Sequence, residues 1–340
     1  MSTIERPGVY TSYEVDSGVR GSGSGGAVGL AAAASSGTAG TVVAVTDYLS
    51  ALSAFGGGNL PELVRILLEN GAPVVYCCAV TGSDYATAFS ALMEEPDIRF
   101  MVCDSRSATV HATLLGTIED GDEKSKYRIG VVESGDTTRS TLVGAAESLN
   151  SERMVLLSHH CSTGTTGAAA AAVCGMMAGE SDPAVPLNGA KLKGIGAIGA
   201  NFSDGDVELL VRGGVLPLEA VGGEVRVIRG ITTRSSTAGS SDATWREVNT
   251  VMIVDSVIPT IRDALHTGFA RVKNNAQTRG AIRTRVIIEL ERYLQREIIE
   301  SYDNVTVSAA AEDPTVCEVS FSFTVAHGLN VIELNAHITV

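Results

Sequence analysis

No run of eighteen or more apolar residues occurs in this chain, so it offers no candidate for a membrane-spanning helix. Residues 1–10 lack a basic segment followed by an apolar one, which leaves no secretory signal to expect. Six cysteines are present, at 77, 78, 103, 161, 174 and 317, and their spacings fit no zinc pattern. Cys77, Cys78 and Cys103 sit in apolar, strand-like runs, the pattern of reduced thiols buried in a core made in a cytoplasm. The six histidines show no H-x-x-x-H spacing, and the acidic run Glu119, Asp120, Asp122, Glu123 lacks the calcium-loop pattern. It reads as a solvated loop, so neither a metal nor a cofactor is expected. Basic residues are also short: the net charge is −14 over 340 residues, which argues against nucleic acid as a partner and helps keep free subunits apart.

What is present is a long alternation of short apolar runs with helical patterns. Residues 41–46, 73–80, 99–103, 127–133 and 154–158 read as strands. Residues 47–55, 59–70, 83–95, 107–119, 137–150 and 165–178 read as helices, with Asp47 and Asn59 as caps. Such alternation predicts an α/β core domain with a largely parallel or mixed sheet. Ser203 caps a short helix over 204–212, and 224–232 reads as a strand. A Ser/Thr/Gly-rich joint at 233–242 suggests a boundary, giving a core at 41–238 and a C-terminal α+β domain at 239–340. That second domain reads as a helix over 243–270, then one over 278–301 with Ile282, Val286, Leu290, Leu294 and Ile298 at steps of four. Strands at 316–325 and 331–340 follow, joined by a turn at 326–330.

Both ends of the chain read as strands. Val9, Thr11, Tyr13 and Val15 alternate in an arm (1–20) that precedes a Gly/Ser/Ala-rich linker or loop at 21–40. Ile332, Leu334, Ala336, Ile338 and Val340 alternate at the other end. A lone strand on a tether needs a sheet edge elsewhere, and strand addition between subunits supplies one.

Three features invite a search for chemistry. The glycines at 21–26 follow a polar turn and lack a Lys-Ser/Thr ending, so they do not form a nucleotide loop. His159, His160, Cys161 and Ser162 follow a strand and precede a small-residue helix, where a hydrolase would place a nucleophile and its base. No G-x-S-x-G elbow or acid partner accompanies them, and the alternative is a polar strand end. Finally, Arg271, Lys273, Arg279, Arg283 and Arg285 fall in a stretch (264–288) with no acidic residue, a reversal of the chain's overall sign. This is either a solvated helix face or a surface for an acidic partner.

The order of several short motifs resembles the contractile phage tail sheath family. They include Arg-Pro-Gly-Val-Tyr at 6–10, Val-Thr-Asp-Tyr-Leu at 45–49, Phe-Gly-Gly-Gly at 55–58 and Asn-Gly-Ala-Pro-Val-Val at 70–75. Further along stand an Ala-rich helix at 168–175, Asp-Pro-Ala at 182–184, Lys-Gly-Ile at 193–195, Phe-Ser-Asp at 202–204 and Gly-Gly-Val at 213–215. Arg-Gly-Ile-Thr-Thr-Arg at 229–234, Trp-Arg-Glu-Val-Asn at 245–249 and the ending at 330–340 complete the series. The resemblance implies a structural, non-enzymatic subunit of a virion tail or extracellular contractile particle, assembled in the bacterial cytoplasm. Its partners would be further copies of itself in a helical homopolymer, the inner tail tube protein, and baseplate and tail terminator proteins, with no membrane insertion. Its terminal strands would complete a sheet in a neighbouring subunit. On this reading Val9, Tyr13, Val15, Ile332, Leu334 and Ile338 link subunits, and Arg279, Arg283 and Arg285 face the tube. The rival readings are a hydrolase using Ser162 or Cys161 with His159 or His160, and a small-molecule-binding α/β protein.

Overall fold

A computed structural model describes residues 26–162 and 164–336. In chain order the first elements are β1 (Ala27–Ala33), β2 (Val42–Val45), α1 (Tyr48–Phe55), α2 (Asn59–Glu69), β3 (Val75–Val80), α3 (Tyr85–Met93) and β4 (Ile98–Cys103). Then come α4 (Ala108–Asp122), β5 (Ile129–Glu133), α5 (Arg139–Leu149), β6 (Met154–Leu157), α6 (Ala168–Gly179), β7 (Lys191–Leu192), α7 (Asp204–Arg212) and β8 (Val215–Leu216). After β9 (Leu218–Val221), β10 (Glu224–Val227) and the small hairpin β11 (Ser236–Thr237) and β12 (Ser240–Ser241), the chain ends in α8 (Val248–Phe269), α9 (Ala276–Gln295), β13 (Ile299–Ala309) and β14 (Cys317–Val325).

Seven strands form the central sheet in the order β2-β3-β1-β4-β5-β6-β8. Neighbours run parallel except β2, which pairs antiparallel with β3. Helices cover both faces, as a parallel sheet requires. Leu60, Leu63 and Leu67 of α2 and the alanines of α6 pack on one side. Phe89 and Leu92 of α3, Leu114 and Ile118 of α4, and Leu142 of α5 pack on the other. Side chains on β1 alternate between these layers: Val28, Leu30 and Ala32 enter the first, Ala31 the second.

The central position of β1 corrects the expectation of a linker over 21–40. Residues 27–33 are a strand, buried except for Ala33, paired with β3 over 28–33 and with β4 over 27–31. Small residues suit a strand enclosed by two others and two helical layers, and the same composition reads as a tether in sequence. The acidic run at 119–123 is likewise not a loop: Glu119 to Asp122 form the last turn of α4, and Asp122 pairs with the buried Arg153 at 2.9 Å. Asp47 and Ser203 cap α1 and α7 through side-chain bonds to Ser50 N and Asp206 N, as expected. Asn59 does not cap α2. Gly58 takes that place, and Asn59 instead donates to Asp104 at 3.1 Å.

In the C-terminal domain, α9 ends at Gln295, where Glu297 has a φ of 57° that no helix continues through. The strand β13 that follows occupies sequence expected to be helix and loop. It pairs antiparallel with β14, so β14 takes β13 as its partner rather than the terminal segment. Val257 and Ile261 of α8, Val286 and Leu290 of α9 and Ile299 and Val305 of β13 form this domain's core. Val319, Phe321 and Phe323 pack against it, on the face of β14 expected from their alternation.

The tightest helix contact lies between α2 and α6. A Cβ on Gly175 would stand 2.6 Å from the Leu67 carbonyl oxygen and 3.0 Å from its Cα, so glycine is required for the two backbones to approach. Replacing Gly175 with valine should destabilise the chain by about 2 kcal/mol or more, as overpacking in a close-packed interior does. A urea midpoint unchanged from wild type would show that the helices can separate without cost.

Candidate functional site

In a sheet of this kind the strand order reverses beside β1, and ligands of α/β proteins enter at the carboxyl ends of the strands there. Here that crevice is filled from within. Asp104, just past β4, accepts from the Ala33 backbone N–H at 2.9 Å, from Asn59 Nδ2 at 3.1 Å and from the Tyr85 hydroxyl at 2.6 Å. Burial and then this bond push the Tyr85 phenol well above its ordinary range. Glu133, at the end of β5, is 0% exposed. Its carboxylate accepts from Arg106 Nε at 2.8 Å and from the backbone N–H groups of Gly167 and Ala169 at 2.9 and 3.1 Å. The N-terminus of α6, where an anion would otherwise bind, is thus occupied by the chain's own carboxylate.

The histidine–cysteine–serine run lies beside this network without forming a nucleophile–base pair. His159 is buried, and its Nε2 lies 3.1 Å from the Ala200 carbonyl, which can only accept, so Nε2 carries the proton. Nδ1 then accepts from the Ser158 hydroxyl at 2.8 Å, and Ser158 Oγ in turn accepts from Leu218 N at 2.9 Å. Ser158 is 1% exposed, so this serine–histidine pair holds β6 to β9 rather than meeting a substrate. His160 donates through Nδ1 to the Ser134 carbonyl at 2.9 Å. Burial raises the Cys161 thiol to about 11, the opposite of activation. Ser162 donates to Ala197 O at 2.9 Å. Among the described residues no group of three or more His, Cys, Asp or Glu side chains is placed to hold a metal, and no helix is long and apolar enough to cross a membrane.

Unsatisfied hydrogen-bonding capacity lies elsewhere. The β13–β14 sheet has two strands, and each has one side of its ladder without a strand partner among the described residues. Beyond it, Ala326 N bonds Ile298 O at 3.2 Å and Asn330 accepts from Asn188 at 2.7 Å. Residues 331–336 then form no strand in the single chain, and Ile332 and Leu334 are 79% and 90% exposed. Val9, Tyr13, Val15 and Ile338 lie outside the described residues.

The expected tube-facing arginines sit at the start and middle of α9 with internal ties. Arg279 donates to Asn274 at 2.9 Å, Arg283 to the Val305 carbonyl at 2.8 Å, and Arg285 pairs at 2.7 Å with Glu289, itself buried. Arg271 and Lys273, between α8 and α9, are exposed.

Residues 79–233 match the model of the phage tail sheath protein central domain, and residues 240–339 match that of the phage tail sheath C-terminal domain. The chain belongs to the phage tail sheath protein family. Its fold is similar to the sheath tail protein of Desulfitobacterium hafniense (13% identity, TM-score 0.69, covering 94% of this chain and 100% of that one). It is also similar to a chain of the anti-feeding prophage baseplate (17% identity, TM-score 0.75, 99% and 100%). The helical sheath of that particle in its contracted state is a further similar structure (16% identity, TM-score 0.74, 98% and 99%). No curated protein matches the chain. A tail sheath protein is a structural component of a virion or phage-tail-like particle, and the filled crevice accords with that.

The buried histidines of this sheath subunit predict an acid response. Burial lowers the folded-state pKa of His159 and of His111 below the ordinary 6.5. The unfolded chain therefore binds more protons as pH falls below 6.5, and stability falls with it. The stability difference between wild type and His159→Gln should shrink steadily from pH 7 to pH 5 in chemical denaturation. A difference constant over that range would mean that His159 titrates normally in the fold.

Proposed function

We propose that this chain polymerises helically around an inner tail tube and contracts to drive that tube through a target envelope. The observation that supports this best is the pairing of an open two-stranded sheet with an exposed apolar terminal segment in the same subunit. The β13 and β14 edges offer backbone groups that a neighbour's strand can satisfy. Residues 331–336 carry Ile332 and Leu334 out into solvent, where they need a partner. Ile332, Leu334 and Ile338, with Val9, Tyr13 and Val15 of the arm, are the side chains we assign to these links. Baseplate and terminator proteins would bound the helix at its two ends, and assembly would take place in the bacterial cytoplasm.

Contraction on this reading is a rearrangement of the lattice toward better-packed contacts, with each subunit adding a small gain. Donated strands, each covalently part of its own subunit and hydrogen-bonded to a neighbour, keep neighbours joined while the bodies rotate. The tube would meet the basic stretch around α9. Arg279, Arg283 and Arg285 are held at that surface by ties within the chain, and Arg283, Arg271 and Lys273 are its exposed charges.

Deleting residues 331–340, or residues 1–15, should leave a folded core and abolish tubes seen by negative-stain electron microscopy of the concentrated protein. Tubes of normal length from either truncation would remove strand linking as the basis of assembly.

The R271E/K273E double variant separates surface charge from the internal ties of the other arginines. It should weaken tube-templated assembly several-fold at low salt and less at high salt, because exposed charges are screened. Assembly unchanged at every ionic strength would place the tube contact elsewhere.

A further inference from the structure

Arg99, on β4 beside the first residues of β1, touches two distant parts of the molecule. Its aliphatic stem lies directly over Gly26, where a Cβ would come within 2.6 Å of Arg99 Cδ. Its guanidinium donates to the Asp255 carbonyl of α8 at 3.0 Å. That carbonyl is available for a reason set in the sequence. In a helix the carbonyl of Asp255 would accept from the backbone N–H four residues on, but that residue is Pro259, which has none. Arg99 satisfies the carbonyl that proline leaves without its helical donor. The Asp255 carboxylate meanwhile receives Arg153 Nη1 at 2.6 Å, so the same residue of α8 is gripped from two points of the core.

The two ends of the described chain enter their sheets in opposite geometries. Tension applied ahead of Gly26 runs along β1, which is paired with parallel strands on both sides, with β3 over Val28–Ala33 and with β4 over Ala27–Ala31. Pulling along that axis loads every bond of both ladders together. Tension applied beyond Val325 enters β14 opposite Ile299, its register partner, and leaves through Ile299 toward α9. Load at the open mouth of a hairpin falls on one pair at a time, reaching the Ala326–Ile298 bond once the Asn188–Asn330 bond has parted.

We propose that Arg99 ties the root of the N-terminal segment to α8 of the C-terminal domain, making β1 the anchored end of the subunit and β14 the end that yields under tension. The role of such an asymmetry in a particle rests on the strand-linking reading, but the asymmetry itself belongs to the single chain and is testable there. In a lattice, it would let a neighbour pull on the arm without opening the core. Strands added to β13 and β14 would brace the weaker end.

The test is single-molecule force extension of the full chain, held by peptide handles at its two ends. The first event should release the residues beyond α9, at about 3.5 Å of extension per residue. The core should open later, at about twofold higher force or more. In Arg99→Met, which keeps an apolar stem over Gly26 and removes the donor, the first event should be unchanged and the core should open at lower force. Arg99→Lys should behave likewise, and serves if the methionine variant does not fold. Release of β1 before the hairpin, a single event for the whole chain, or a core-opening force unaltered in a folded Arg99 variant would each overturn the proposal. Tubes lost on terminal truncation, with no such asymmetry in the single chain, would overturn it while leaving strand linking intact.

Discussion

The carboxylate of Glu133 decides what kind of α/β protein this is. A carboxylate with no exposure is costly unless it is paired and hydrogen-bonded. Here Arg106 and the backbone N–H groups at the start of α6 do both. Satisfying that charge uses up the helix N-terminus that α/β proteins commonly offer to a phosphate or carboxylate ligand. Gly167 is part of the same arrangement. Its φ of 88°, and the 2.9 Å that would separate a Cβ from Asp104 Cα, make glycine necessary for α6 to start close to β4. With Asp104 closing the neighbouring gap, the reversal point of the sheet becomes part of the core.

Around the reversal point of the sheet the polar groups are satisfied internally, down to Ser158 and His159, whose polar atoms are spent on one another and on the backbone. The C-terminal domain has the opposite character: a two-stranded sheet packed on α9, two edges without a strand partner among the described residues, and a segment at 331–336 whose Ile332 and Leu334 face water. An isolated two-stranded ribbon is marginal in water. This one is held by packing of Val319, Phe321 and Phe323 against the core that α8, α9 and β13 form, which fixes the sheet without pairing its edges among the described residues. A body with a closed interior and open edges is suited to making a lattice.

Legibility in the sequence followed how strongly each segment's physics differed from its alternatives. Strands β3 to β6 were legible because continuous apolar runs of that length, set between helical patterns, suit a strand buried on both faces and little else. β1 was not, since Ala27, Gly29 and Ala31 to Ala33 have the composition of a tether, and only their enclosure between β3 and β4 shows that small side chains are required there. β13 was missed because Glu300, Ser301, Asp303 and Asn304 face solvent, while Ile298 continues the spacing of α9 beyond the point where Glu297 ends the helix. The candidate hydrolase residues were visible as residue types, but, beyond the adjacent Ser158, their hydrogen-bond partners come from Ser134, Ala197 and Ala200, which no local spacing brings near. The basic stretch was legible as charge. Which of its arginines are tied within the chain depends on Glu289 and Val305, and so on the tertiary fold.

Pro259 shows how a local defect can be given a long-range use. Within α8 it removes one backbone donor, and an isolated helix would bear that as an unsatisfied carbonyl or a kink. In this subunit the freed carbonyl of Asp255 faces Arg99, and the Asp255 side chain faces Arg153, so the defect becomes the point at which two domains meet. Arg153 is itself enclosed, stacked 5.3 Å from the Tyr127 ring centroid and paired with Asp122 at the end of α4. Charges this buried stabilise only when all their partners are present, because removing one leaves the others desolvated and unpaired. The joint between the domains is therefore specific in its geometry: α8 can slide neither along nor around its axis without separating Asp255 from both arginines. On the strand-linking proposal, relative motion of neighbouring subunits would fall on the terminal segments and the β13–β14 hairpin rather than on this joint.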